Sequence, residues 1–324
     1  MKQGLRKVAR ALDWKKASRP NVGKGLSVCL KDAGGTYKVA GATVKMSSDG
    51  SAVLLTGTVE VGQGSRTALS QVVAEELGIK LEQVSVAQLD TDVTPFDVST
   101  SASSSMTVMG LATQRAAQDV KKQLLRAAAK VMGEKADGLS LKGCRVRGAK
   151  GRGCLTATSS PKEQDRGAGL SHHLLGGGWG GVELEVDPDT GVIRILKYVS
   201  MADVGRAINP LQAEGQDEGG VMFGLGHTLL EEMVYENGQL LNPNLVDYRV
   251  PAFHDMPEQF ISELVESGNG PGPFGAKGMG EGGVLPAASA IAAALDDAVG
   301  VRICDLPLTP PKVWRHLQER DSAG

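Results

Sequence analysis

Alternation of apolar and polar positions marks the first part of the chain as strands interrupted by helices. Gly25–Lys31, Tyr37–Met46 and Ala52–Val61 carry the two-residue period of half-buried strands. The second and third are joined by the turn Ser47-Ser48-Asp49-Gly50. After Gly62-Gln63-Gly64 the period lengthens to that of a helix. This helix opens at Ser65, faces inward through Leu69, Val72, Val73 and Leu77, and stops at Gly78. Val84–Leu89 reads as a strand, and a long helix with Val108, Leu111, Arg115, Val120 and Leu124 spaced around it follows the run Thr100–Ser105. From Gly133 to Gly178 the pattern turns polar, glycine-rich and non-periodic.

The second part repeats the grammar. Gly180–Val186 and Val192–Val199 form a hairpin around the turn Asp187–Gly191, a helix runs from about Leu211 to Glu232, and Phe260–Val265 is a strand. Proline at Pro286 and glycine at Gly300 bracket a last helix through Leu295. At the start, Leu5, Val8, Leu12 and Trp14 lie on one side of a basic amphipathic helix that reads as a docking element. The expected fold is α+β, two lobes of mixed sheets with packed helices. Its divisions are 1–24 as an extension, 25–135 as the first lobe, 136–178 as a polar connector and 179–324 as the second lobe.

Composition removes several classes of function. A net charge of −2 over 324 residues predicts no nucleic-acid or acidic-membrane partner. No apolar run approaches the ~20 residues of a membrane span, and the basic N-terminus lacks the apolar core of a secretory signal. Cys29, Cys144, Cys154 and Cys304 are scattered without a Cys-x-x-Cys pair, so no protein-ligated zinc or iron–sulfur centre is expected; they read as reduced cytoplasmic thiols. His172 and His173 at the connector's edge are left unassigned.

Candidate chemistry gathers where glycine is dense. Half of the residues from Gly268 to Gly283 are glycine, and among them stand one base, Lys277, and one acid, Glu281. Such a loop feeding a helix can hold an anion or a cofactor, with the carboxylate as a general base, or it can be a tight turn with an exposed acid. Gly62, Gln63 and Gly64 at the strand–helix junction would suit a phosphate or a heterocycle edge. The hydroxyl-rich run from Thr100 to Ser105 is either a solvated loop or a second anion cradle. Five glycines in the later helix (Gly215, Gly219, Gly220, Gly224 and Gly226) each cost roughly 1 kcal/mol against alanine, so close packing against a neighbour or ligand is expected there, with Gln216 able to present its amide.

Five segments in order, GTVEVGQGSRT, TSASSSMTVMG, EVDPDTGVIRILKY, DVGRAINPLQAEGQDEGGVMFGLG and GPFGAKGMGEGG, resemble the xanthine dehydrogenase and aldehyde oxidase family. The chain is similar to the C-terminal half of that family's molybdenum-binding subunit. The resemblance implies that Gly62, Gln63 and Gly64 face the metal and its pterin, that Ala102, Ser103 and Ser105 hold the pyranopterin dinucleotide, that Gln216 bonds the pterin, and that Lys277, Gly278 and Gly280 complete the pocket. It makes Glu281 the base in hydroxylation of an electron-poor carbon with water as the oxygen source. The implied cofactor is molybdopterin, as the cytosine dinucleotide, with a sulfido or selenido ligand on molybdenum; [2Fe-2S] clusters and FAD would sit on partner subunits. Family subunits are more than twice this length, so the chain is expected to be the smaller piece of a split molybdenum subunit, of the nicotinate dehydrogenase type, or a fragment of a longer one. Its partners would be a large subunit with the other half of the cradle, an iron–sulfur subunit and a flavin subunit. The expected substrate is an N-heteroaromatic molecule, nicotinate- or purine-like. The alternatives are an aldehyde- or CO-oxidising relative and a non-catalytic cofactor scaffold.

Overall fold

The computed structural model describes residues 2–32, 38–143, 145–148, 153–155, 165–168 and 175–323. Helix α1 (Lys2–Ala11) precedes strand β1 (Val22–Asp32), and the hairpin β2 (Val39–Met46) with β3 (Ala52–Thr56) leads into helix α2 (Ser65–Leu77). Strand β4 (Val84–Val86) and helix α3 (Ser105–Met132) come next. Four short strands follow: β5 (Ser140–Lys142), β6 (Arg145–Arg147), β7 (Gly153–Leu155) and β8 (Asp165–Ala168). The remainder runs β9 (Leu175–Val186), β10 (Ile193–Asp203), α4 (Pro210–Leu229), the small hairpin β11 (Tyr235–Glu236) and β12 (Gln239–Leu240), β13 (Gln259–Val265), α5 (Ala287–Val299) and α6 (Pro310–Ala323).

Two four-stranded sheets organise these elements, in the orders β4-β3-β2-β8 and β1-β9-β10-β13. Helices α2 and α3 cover the first sheet, and Leu54, Leu69, Leu77, Met109 and Val120 interlock in its core. Helices α4, α5 and α6 cover the second around Leu184, Tyr198, Leu225, Ile291, Leu295 and Leu317. Full burial of each such side chain is worth about 1.5–3 kcal/mol. Glycine sets the spacing between β1 and α5. A Cβ on Gly23 or Gly25 would stand 2.2 Å from the Ala294 carbonyl oxygen or 2.0 Å from that of Ala290, so the alanine-rich helix can lie directly on the strand.

Several expectations change. β1, expected in the first lobe, pairs with β9 over its whole length and belongs to the second sheet. The stretch read as a connector contains strands: β5, β6 and β7 form their own sheet, and β8 pairs with β2. β3 ends at Thr56 rather than Val61, because beyond it side chains take over from the ladder. The Thr58 amide donates to Thr56 Oγ1 at 3.2 Å, and the Thr58 hydroxyl donates to Asp97 at 3.0 Å. The N-terminal helix packs on the chain's own second sheet through Val8 and Leu12, which are buried with Trp179, Val199 and Met201, while Leu5 and Trp14 stay exposed. The expected strand start at Tyr37, together with Cys144, His172 and His173, lies outside the described residues. Among the described residues no helix is long and apolar enough to cross a membrane.

Candidate functional site

A cleft of about 340 Å³ opens where the two sheets' helices meet. Its walls include the first turns of three helices: Ser65 and Ala68 of α2, Ser105 and Met106 of α3, and Gln212, Ala213 and Gln216 of α4 behind the cap Asn209. A helix N-terminus carries roughly half a positive charge. Those of α3 and α4 favour an anionic ligand in the cleft, whereas that of α2 already holds the Glu60 carboxylate. The α3 terminus has no side-chain cap, whereas Asn209 caps α4 by accepting the Gln212 amide at 3.2 Å. Gln63, Ala102, Ser103, Lys277, Gly278, Gly280 and Glu281 complete the expected residues that line the cleft; Gly62 and Gly64 are not among its lining residues.

Glu281 projects from the glycine-rich loop with its side chain half exposed. Lys31 Nζ pairs with its Oε2 at 2.7 Å, and the Ser103 hydroxyl donates to the same oxygen at 2.9 Å. The Lys31 bond is the largest influence on this carboxyl and, with that from Ser103, holds it below the usual carboxylate range despite partial burial. Lys31 also reaches the Ala102 carbonyl and the Ser103 hydroxyl, both at 2.9 Å, while Lys38 grips the carbonyl and hydroxyl of Ser101 and the hydroxyl of Ser104. These clamps keep Ala102 and Ser103 left-handed, at φ 50° and 57°. Left-handed non-glycine residues cost about 1–3 kcal/mol each and persist where the surroundings over-determine them. Gln216 donates to the Gly280 carbonyl at 3.2 Å, tying α4 to the backbone just before Glu281.

At the junction before α2 the structure corrects the idea of open amide groups awaiting a phosphate. The carboxylate of Glu60 folds over them: Gly62 and Gly64 donate to its Oε1 at 3.1 and 2.8 Å, and the Arg66 amide and Ser65 hydroxyl donate to Oε2. Burial raises the Glu60 carboxyl, but these donors together outweigh it and hold it low. Gln63 likewise turns inward, accepting from the Val61 amide and donating to the Val59 carbonyl and Ser65. Gly64 sits at φ 77°, and a Cβ there would stand 2.5 Å from the side chain of Gln212. Gly64→Val is therefore expected to strain the backbone and push Gln212 into the cleft, lowering ligand content. Full content in the purified variant would refute the close approach.

Lys277 lines the cleft, but its ammonium is buried and pairs with Asp203 at 2.6 Å. Burial raises Asp203; bonds from Lys277, Ser267 and the Gly205 amide outweigh it and lower the carboxyl. Removing one partner of a buried pair leaves the other uncompensated, so Lys277→Met is expected to destabilise by about 3–5 kcal/mol near pH 7. Asp203's contribution is present above its unfolded pKa and disappears as pH falls through the lowered folded value. The deficit should thus shrink toward about pH 4 as the orphaned carboxyl is neutralised. Denaturant unfolding at both pH values reads it, and an unchanged deficit would contradict the pairing.

Sequence reasoning missed Lys31, Lys38, Glu60, Asp203, Arg206 and Gln212. Gln212 was within reach, since it stands one turn before Gln216 and shares its helix face. Its Oε1 is buried without a hydrogen-bond partner, an acceptor at the cleft wall. Arg206 adds a cation to the lining. The site thus offers positive helix ends and an arginine for anionic groups, a glutamine acceptor for a ring N–H, and one ionised carboxylate able to take a proton.

Comparison with known proteins follows the same lines. The molybdopterin cofactor-binding domain family matches residues 3–257. The gamma subunit of the 6-hydroxypseudooxynicotine dehydrogenase complex of Paenarthrobacter nicotinovorans is 35% identical over 330 residues, covering 95% of this chain and 41% of that protein. The xanthine dehydrogenase molybdenum-binding subunit of Escherichia coli O157:H7 is 33% identical, covering 97% of this chain and 45% of that protein. Quinoline 2-oxidoreductase from Pseudomonas putida 86 superimposes with a TM-score of 0.81 at 26% identity, over 97% of this chain and 43% of its own. The chain thus spans less than half the length of these relatives. It belongs to the molybdopterin cofactor-binding domain family.

Proposed function

We propose that this chain is one half of the cofactor cradle of a molybdenum hydroxylase that oxidises an electron-poor carbon of an N-heteroaromatic substrate. The observation that carries it is the convergence of the α3 and α4 N-termini and the Glu281 carboxylate on one cleft. The residues fit molybdopterin, and the form we propose is its cytosine dinucleotide: the α3 and α4 N-termini with Arg206 would hold the phosphate-bearing part, and Gln212 with Gln216 would hold the ring. The bound cofactor, with a sulfido ligand, supplies the two-electron redox chemistry.

Glu281 accepts a proton at its carboxylate, and Lys31 keeps that carboxylate ionised down to low pH. Ser103 fixes the orientation of Oε2. The Ser101–Ser104 loop, clamped by two lysines, places backbone against the ligand. [2Fe-2S] and FAD on partner subunits would carry the electrons away, and a second polypeptide or segment would supply the rest of the cradle. The heteroaromatic substrate is supported by relatives whose names carry nicotine, xanthine and quinoline substrates. The test is metal and pterin analysis of the purified complex, with dye reduction by nicotinate, quinoline and an aromatic aldehyde. Molybdenum with reduction by the heterocycles is expected. A complex without molybdenum, or one that oxidises only the aldehyde, would overturn the reading.

A further inference from the structure

Two groups that the cofactor reading does not use are buried behind the Glu281 loop. Asp217 of α4 is 1% exposed and Tyr198 of β10 is 0% exposed. Asp217 Oδ2 accepts from the Ser262 hydroxyl at 2.9 Å. Among the described residues its Oδ1 and the Tyr198 hydroxyl have no hydrogen-bond partner. The groups that face Asp217 are Tyr198 and Ser200 from β10, Ser262 from β13, Cys29 from β1 and Glu218 on its own helix; none of these is a cation. An ionised carboxylate in such a place is costly, because nothing replaces the water it leaves. Burial accordingly pushes the Asp217 carboxyl up, and the Cys29 thiol and Tyr198 hydroxyl with it.

Position gives this acid a role. Residues 216 and 217 bracket Glu281 from beneath. Gln216 bonds the Gly280 carbonyl, and Gly283 lies so close that a Cβ on it would stand 2.5 Å from the Asp217 carbonyl oxygen and 3.1 Å from Oδ1. We propose that Asp217 is a positioning residue for Glu281 that works as a neutral carboxylic acid, filling the space under Gly283 with a polar but uncharged group. The proposal rests on Glu281 being the base.

The experiment compares Asp217→Asn and Asp217→Leu in the purified complex. Asparagine reproduces the neutral acid, so cofactor content is expected to stay full and turnover within about 2-fold. Leucine removes the bond from Ser262, and misplacement of the base is expected to lower kcat on the order of 10-fold or more at unchanged KM. Stability supplies a readout that needs no turnover. With a folded pKa above the unfolded one, the native state binds this proton more tightly, so wild-type stability from this group falls as pH rises through that window. Asparagine does not titrate. The Tm of Asp217→Asn minus that of the wild type is therefore expected to grow from about pH 4.5 to about pH 8. Asparagine as damaging as leucine, leucine without effect on kcat, or a Tm difference that stays flat or falls would each overturn the proposal. If Glu281→Gln remains active, the base reading fails and the positioning role with it, whereas the Tm difference still decides whether the acid is neutral.

Discussion

Replacing Glu281 with glutamine is expected to lower turnover by at least ~10²-fold with fold and molybdenum content intact, the lower range for losing a general base. The substitution is isosteric: its amide oxygen can still accept from Lys31 and Ser103, and the bond from Gln216 to the Gly280 carbonyl is untouched. What disappears is an oxygen able to take a proton. Lys31 refines the expectation. Its bond is the main reason that Glu281 titrates low, so the acid limb of kcat/KM should lie below the ordinary carboxylate range. Lys31→Gln removes that bond and should move the limb to higher pH while the alkaline side stays in place. The pH profiles of the two variants and the wild type, normalised to metal content, are the measurement. Near wild-type turnover of Glu281→Gln at full occupancy would sink the assignment.

An isolated chain is expected to hold no molybdenum cofactor, and to bury on the order of 2,000 Å² or more against the polypeptide that completes the cradle. The relatives are more than twice as long, and the outward face of α4 shows where cover is missing. Leu211, Gly215, Gly219 and Phe223 follow one another at four-residue steps along that face. Leu211 and Phe223 are 79% and 70% exposed, and nothing lies within 4 Å of a Cβ on either glycine. Glycines with nothing beyond them inside the chain leave room for a backbone from outside. The comparison is of size and metal content for the chain expressed alone and with its candidate partner. Phe223→Asp should abolish the assembled species and its metal while the circular dichroism of the chain is unchanged. A monomer that carries molybdenum and oxidises substrate unaided would refute the expectation.

Helix ends were the most legible part of the fold. Gly78, Gly133 and Gly300 close α2, α3 and α5 in left-handed conformations, as glycines after periodic runs should. Helix α6 was overlooked, although Pro310 and Pro311 stand in its first turn and Val313 and Leu317 repeat at helical spacing. The glycine-dense α4 was half explained within the chain. Gly224 meets Val284 and Ala287, and Gly226 meets Pro251, while Gly215 and Gly219 face open space. Sheet membership was not legible, because hydrophobic alternation says that a strand is half-buried and not which strand lies beside it. The same limit applied to the site. Local glycine and serine patterns pointed to the loops around the cleft, but not to Lys31, which reaches Glu281 only because β1 folds into the other sheet. Nor could the sequence show that Glu60 fills the amide nest of its own loop or that Lys277 pairs with Asp203.

The pairing of β1 with β9 also orders events in time. Cys29 and Gly178 are 149 residues apart, so β1 has no partner in its sheet until residues near 178 have followed it from the ribosome. At roughly 5–20 residues per second this wait is about 7–30 s. Contacts of such sequence separation form late, after the local β2–β3 hairpin and the helices that cover it. During that interval β1 is an open edge, the kind of segment that joins neighbouring chains. Lys24 and Lys31 give it charge while it waits. Once the sheet closes, Lys24 becomes buried and donates to the carbonyls of Asp13 and Lys16, and Lys31 turns to Glu281. The cleft is therefore completed late, when β1 and the Glu281 loop meet.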